Sequence, residues 1–132
     1  IEMTESGFMD MTPYFCRFRK KLEENKIQFV IDDFGSGYSN LHCINDMNPD
    51  YVKIDKDFTA KAMCNERDYE LFKKIIEMVH SINVKICIEG IEKEAWDLRM
   101  KEMHVDYLQG YLFGKPCGKK EFYEQFVNKD RK

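Results

Sequence analysis

Residues 28–40 read QFVIDDFGSGYSN, a short apolar run that ends in two carboxylates, Asp32 and Asp33, and then breaks into a glycine-bearing loop. A surface strand alternates apolar and polar residues along its whole length, whereas this one keeps its charge for the end. The same form recurs in IEM at 1–3, YVKID at 51–55 and KICIEG at 85–90. If Ile1/Met3, Phe29/Ile31, Val52/Ile54 and Ile86/Ile88 face a layer of helices, the period of two turns Glu2, Asp32, Lys53 and Glu89 to the opposite face. Asp33 points away from Asp32 on an extended strand. It reaches the same space only where the strand is ending, as FGSG indicates. Burying so many charges is costly unless metals or a charged substrate compensate, so their convergence is an expected active site.

Helical patterns lie between these runs. Residues 11–25 are expected as a helix capped by Thr12 with Pro13 at its first position, and residues 41–47 as a short one. Residues 67–81 carry Leu71, Ile75, Val79 and Ile82 on one stripe with Phe72 and Ile76 beside it. Residues 94–103 read as a helix through Trp96, Met100 and Met103, and residues 119–128 as one with Phe122 and Phe126 inward. Strands are expected at 28–33, 51–55, 85–89 and 106–109. Alternating strands and helices argue for parallel strands with helical crossovers.

An open flavodoxin-like sheet would need central strands that are apolar on both faces. These strands carry one apolar and one mixed face (Val30, Tyr51 and Cys87 below the charges), as in a barrel wall. A complete (β/α)₈ barrel takes on the order of 250 residues. The expected fold is therefore α/β, a partial TIM-like barrel of about five βα units in a chain of 132 residues. Such a partial barrel is expected to leave strand edges unpaired at residues 1–3 and 106–109, to expose Val30, Tyr51 and Cys87, and so to self-associate, most simply as a homodimer.

The net charge of −3 offers no basic footprint for duplex nucleic acid, and the sequence has no apolar run long enough to contact or span a membrane. Five cysteines without a CxxC pair fit a reducing cytoplasm better than a disulfide framework or zinc. The three histidines share no ligand spacing, and His80 sits where a helix should end. There is no signal peptide and no initiator Met. IEM reads like the inside of a strand, so the chain is expected to be a piece of a longer protein.

The strings IEMTES, DDFGSGYSNL, PDYVKID, IEGIE and YLQGYLFGKP, in that order, resemble the C-terminal part of EAL domains from Ile1 to about Pro116. The resemblance makes residues 1–132 the C-terminal part of such a domain, with the first part and its EAL motif absent. It implies hydrolysis of cyclic di-GMP to pGpG, with two Mg²⁺ or Mn²⁺ ions sharing a water that attacks phosphorus in line. It also implies roles for particular residues. Glu2, Asp32, Asp33 and Glu89 would hold metal, with Glu89 a ligand or general base. Lys53 would stay charged near the attacking water and the phosphate, and Gln109 would hydrogen-bond a water. Asp55, two residues on along the same strand face, is placed by parity to orient Lys53. Glu92 would stand behind the ligands or at the second metal, or else cap the next helix. Glu5 would pin the loop that carries Gly35, Ser36, Gly37 and Tyr38, and Tyr38 would join Lys53 at the substrate. The family's first metal glutamate, its phosphate-binding arginine and its asparagine ligand have no counterpart here, so the fragment alone is expected to be inactive. The rival reading is a non-catalytic sensor of cyclic di-GMP or a protein-interaction module.

Overall fold

The computed structural model describes residues 1–36 and 41–127, without the side chains of residues 5–13 and 41–43. Gly37, Tyr38 and the side chain of Glu5 thus lie outside the described residues. Five strands, β1 (Glu2–Thr4), β2 (Val30–Phe34), β3 (Tyr51–Ile54), β4 (Lys85–Ile88) and β5 (Tyr107–Leu108), form one sheet in the order β1-β2-β3-β4-β5. Every pairing is parallel. Between them run α1 (Glu5–Glu24), α2 (Leu41–Met47), α3 (Lys56–Ala62), α4 (Glu66–Ser81) and α5 (Glu94–Glu102). A last helix, α6 (Lys119–Phe122), passes into a π-helical turn at Tyr123–Val127. Strands taken in chain order, each joined by a helical crossover, are five consecutive units of a TIM-like α/β barrel.

All the helices that enter the core pack on one face of the sheet. Phe29, Ile31, Phe34, Val52, Ile54, Ile86 and Ile88 meet Phe15 and Leu22 of α1, Ile44 and Met47 of α2, Ala62 of α3, Phe72, Ile76 and Val79 of α4, and Met100 of α5. This is the parity expected of the strands, and it sends Glu2, Asp32, Lys53 and Glu89 to the other face. Each fully buried aliphatic or aromatic side chain contributes roughly 1.5–3 kcal/mol, so the alternation is held strongly.

Several expectations need correction. Helix α1 begins at Glu5 and runs through Pro13. A proline removes one main-chain donor, and here the packing of Phe15 and Leu22 holds the helix across that loss. In α4 the buried stripe is Phe72, Ile76 and Val79, while Leu71 is 55% exposed, because neighbours on a helix differ by about 100° in direction. Phe122 and Phe126 are half-exposed rather than inward. Their rings pack on each other at 5.2 Å, and Phe126 lies on Gly114. Val30 and Cys87 are buried and Tyr51 is half-buried, against the expected exposure. Val30 lies between Glu2 and Tyr51 in the ladder, and the Tyr51 and Tyr107 rings meet at 5.7 Å across β4.

At the opposite end from the charges, Asp106 ties three elements together. Its Oδ2 accepts from Ile86 N at 2.9 Å and lies 3.0 Å from His80 Nε2 in the last turn of α4. The histidine thus has a structural partner.

Candidate active site

The site lies at the C-terminal ends of the strands. Strands β3, β4 and β5 are each prolonged there by one main-chain bond to the preceding strand: Asp55 N to Phe34 O, Glu89 N to Ile54 O and Gln109 N to Ile88 O, at 2.8–3.1 Å. These bonds place Glu89 and Gln109 just beyond β4 and β5.

Strand β2 needs a device to bring two adjacent carboxylates to one site. Ile31 pairs with Val52 and Phe34 pairs with Ile54, so three steps on β2 match two on β3. The extra residue is a bulge, and Asp33 within it has φ = 56°. Asp32 keeps the inward parity, Asp33 is turned by the bulge, and Phe34 returns to the core at 2% exposure. One carboxylate oxygen from each of Asp32, Asp33 and Glu89 then falls within 4.8 Å of the others.

Lys53 is 8% exposed and sits among three carboxylates. Its Nζ is 2.7 Å from Glu89 Oε1, 3.2 Å from Asp32 Oδ1 and 3.2 Å from Glu2 Oε2. Burial works against the charge, but the carboxylates of Glu89, Asp32 and Glu2 outweigh it and raise Lys53 above the ordinary lysine value. These contacts favour its ammonium form. Directly across the ladder from Lys53, burial pushes the Cys87 thiol up to about 11, with Lys53 pulling partly against it.

The donor set suits a hard divalent cation. All three converging groups are carboxylates, which Mg²⁺ and Mn²⁺ prefer to sulfur or nitrogen. Asp32 Oδ1 is cut off from solvent and has a charge contact to Lys53 but no hydrogen bond, so it keeps acceptor capacity for a cation. Glu2, on β1 beside the strand of Asp32, stands outside this trio with its side chain 49% exposed.

Other expected site residues lie elsewhere. Asp55 does not turn to Lys53: its Oδ1 accepts from Asp57 N at 2.9 Å and Phe58 N at 3.3 Å, capping α3. Glu92 is exposed and is not part of the carboxylate trio. Gln109 is exposed and borders a cavity of about 480 Å³ that it shares with Tyr111, Phe113, Pro116 and Phe126. Ser36 N donates to Asp33 O at 3.2 Å, closing the turn after the bulge.

Sequence reasoning missed α3, whose first turn supports both carboxylate segments. Gly35 (φ = 93°) lies so close to the Phe58 ring that a Cβ would collide with it, and a Cβ on Gly90 (φ = 76°) would stand 2.6 Å from Lys56 Cβ. The glycines after Asp33 and Glu89 therefore both rest on α3. Asp55 followed by apolar Phe58 and Ala62 was the signal for it.

The family model for the EAL domain matches residues 1–116, and the chain belongs to that family. It is 32% identical over 116 residues to the cyclic di-GMP phosphodiesterase NbdA of Pseudomonas aeruginosa, covering 88% of this chain and 15% of that protein. It is 30% identical over 129 residues to the cyclic di-GMP phosphodiesterase PdeL of Escherichia coli, covering 98% of this chain and 36% of that one. Among solved structures, a complex of the PaMucR phosphodiesterase with c-di-GMP superposes with a TM-score of 0.80 at 29% identity, over 92% of this chain and 49% of that one. A manganese and cyclic di-GMP complex of Klebsiella pneumoniae BlrP1 gives 0.79 at 25% identity, over 89% and 30%. The chain thus spans half or less of the length of each of these proteins.

Proposed function

We propose that these residues form the C-terminal part of an EAL domain that hydrolyses cyclic di-GMP to pGpG with divalent metal. The observation that carries the reading is the meeting of Asp32, Asp33 and Glu89 within 4.8 Å, in a family whose similar members are cyclic di-GMP phosphodiesterases. Asp32, Asp33 and Glu89 would hold one Mg²⁺ or Mn²⁺, and Glu2 would contribute to a second. Bound there, the ions supply Lewis-acid stabilisation of the phosphoryl oxygens and a nucleophile at neutral pH.

The chain's own residues do the rest. Lys53, fixed as an ammonium, meets a non-bridging oxygen of the phosphodiester and offsets charge as it grows there. Gln109, one main-chain bond from Ile88, presents its amide to water or substrate beside the trio. Tyr38 and the loop carrying Gly35, Ser36 and Gly37 border the dinucleotide, with Glu5 pinning that loop. Glu92 stands behind the ligands. The active unit is a domain that includes residues beyond these, so the 132-residue piece alone turns over negligibly. A second copy pairs along the free edge of β1 or β5, giving a homodimer, and the protein works in the cytoplasm.

The test is an assay of the whole domain for pGpG with Mg²⁺ or Mn²⁺, beside Asp32→Asn. Metal-dependent product that the variant fails to make supports the reading. Binding of cyclic di-GMP without hydrolysis under either metal replaces it with a sensor.

A further inference from the structure

Asp32 and Glu89 belong to two constellations at once. They are two of the three groups of the carboxylate trio, and they are also two of the three partners of Lys53. The third partner of Lys53 is Glu2, which is not in the trio. We propose that Lys53 is a resident cation of the metal-free site, and that it leaves Glu89 for Glu2 when a first divalent ion enters the trio, before Glu2 helps hold a second, so that loading the trio and moving the lysine are one event. The inference rests on the metal-site reading above.

Three features carry it. First, Glu2, Asp32, Asp33 and Glu89 crowd one strand-end face, and carboxylates so placed repel unless a cation stands among them; Lys53 is the ammonium found there. Second, its shortest contact, 2.7 Å to Glu89 Oε1, is to a group the ion needs. An ion on that carboxylate at about 2.1 Å would stand close to the ammonium, and two cations on one group repel strongly in a site of low dielectric. Third, an exit exists. Glu2 already accepts from Lys53 Nζ at 3.2 Å, and its half-exposed side chain, on β1 at the other end of the strand order from Glu89, stands outside the trio. Lys53 therefore keeps a carboxylate partner while the trio fills.

Two measurements on the whole domain that contains these residues, titrated with Mg²⁺, test the exchange. In side-chain ¹⁵N NMR of lysine, the Lys53 Nζ signal is expected to shift along the same binding curve as the backbone amides of Asp32 and Glu89. Calorimetry of Lys53→Met is expected to show Mg²⁺ bound about 10-fold tighter than by the parent chain, the scale on which one nearby charge biases an ionic site. Lys53→Arg is expected to bind no tighter than the parent. Amide shifts at Asp32 and Glu89 with an unmoved Nζ signal overturn the exchange while leaving the metal site standing, and so does unchanged affinity in Lys53→Met. Amides at Asp32, Asp33 and Glu89 that ignore Mg²⁺ at every concentration overturn the metal-site reading and the exchange with it. The NMR measurement on the parent chain decides the matter even if Lys53→Met fails to fold.

Discussion

Asp32 and Asp33 are neighbours in the chain, yet their carboxylates serve one site, because a one-residue bulge puts Asp33 at φ = 56° while Phe34 returns to the core. The bulge converts a strand's obligatory alternation into a paired acidic edge. Its position is fixed by Ile31 and Phe34, both buried against the helices.

Asn tolerates the left-handed region and β-branched residues do not. Asp33→Asn should therefore leave folding stability within about 0.5 kcal/mol of the parent, as expected of an exposed change that keeps the backbone. Asp33→Val should cost about 1–2 kcal/mol from the left-handed conformation alone. Urea denaturation of both checks this, and equal stability would mean that the strand does not depend on the bulge.

Contact of α3 with the two glycines gives a second prediction. Gly90→Ala should destabilise by about 1–3 kcal/mol, through both its positive φ and the overlap with Lys56 Cβ. Gly35→Ala should behave likewise, and adding Phe58→Ala should relieve part of that cost, because the ring is what the new methyl meets. A double-mutant cycle reads the coupling, and strict additivity would show that the ring does not support the loop.

Asp55 caps α3 and does not orient Lys53. Asp55→Ser should keep most of the stability, whereas Asp55→Ala should lose about 1 kcal/mol. Thermal melts of both separate a capping role from an electrostatic one, in which Ser and Ala would be equally poor.

Cys87 is 7% exposed and its thiol is pushed up to about 11 by burial, while Cys16 and Cys64 are exposed. With an ordinary thiol near 8.5, the unfolded chain releases this proton first as pH rises, so Cys87 lowers stability progressively between about pH 8.5 and 11. At pH 7.5 iodoacetamide should label Cys16 and Cys64 quickly and Cys87 only after unfolding. Mass spectrometry of the labelled peptides checks the order.

Much of this architecture was legible in the sequence because burial enforces parity. Once Phe29/Ile31, Val52/Ile54 and Ile86/Ile88 faced the helices, Asp32, Lys53 and Glu89 had one direction left. What escaped depended on local geometry that no periodicity records. The bulge adds one residue, and only the FGSG that follows hints at it. Helix α3 is seven residues long, and Asp55, its cap, also reads as the end of a strand. On α4, Leu71 and Phe72 are equally apolar, and only the packing chooses Phe72 for the stripe that ends at Val79. The position of Lys53 inside the carboxylates, rather than beside them, is a matter of distances and was beyond the pattern.

The central claim is that Asp32, Asp33 and Glu89 form a divalent-cation site whose charges Lys53 balances. Anomalous diffraction at the manganese edge, from crystals of the protein grown with Mn²⁺, tests it most directly. The account predicts a manganese peak within about 2.5 Å of a carboxylate oxygen from each of the three, with Lys53 drawn away from Glu89. No peak among them, or manganese held elsewhere while Lys53 keeps Glu89, would contradict it.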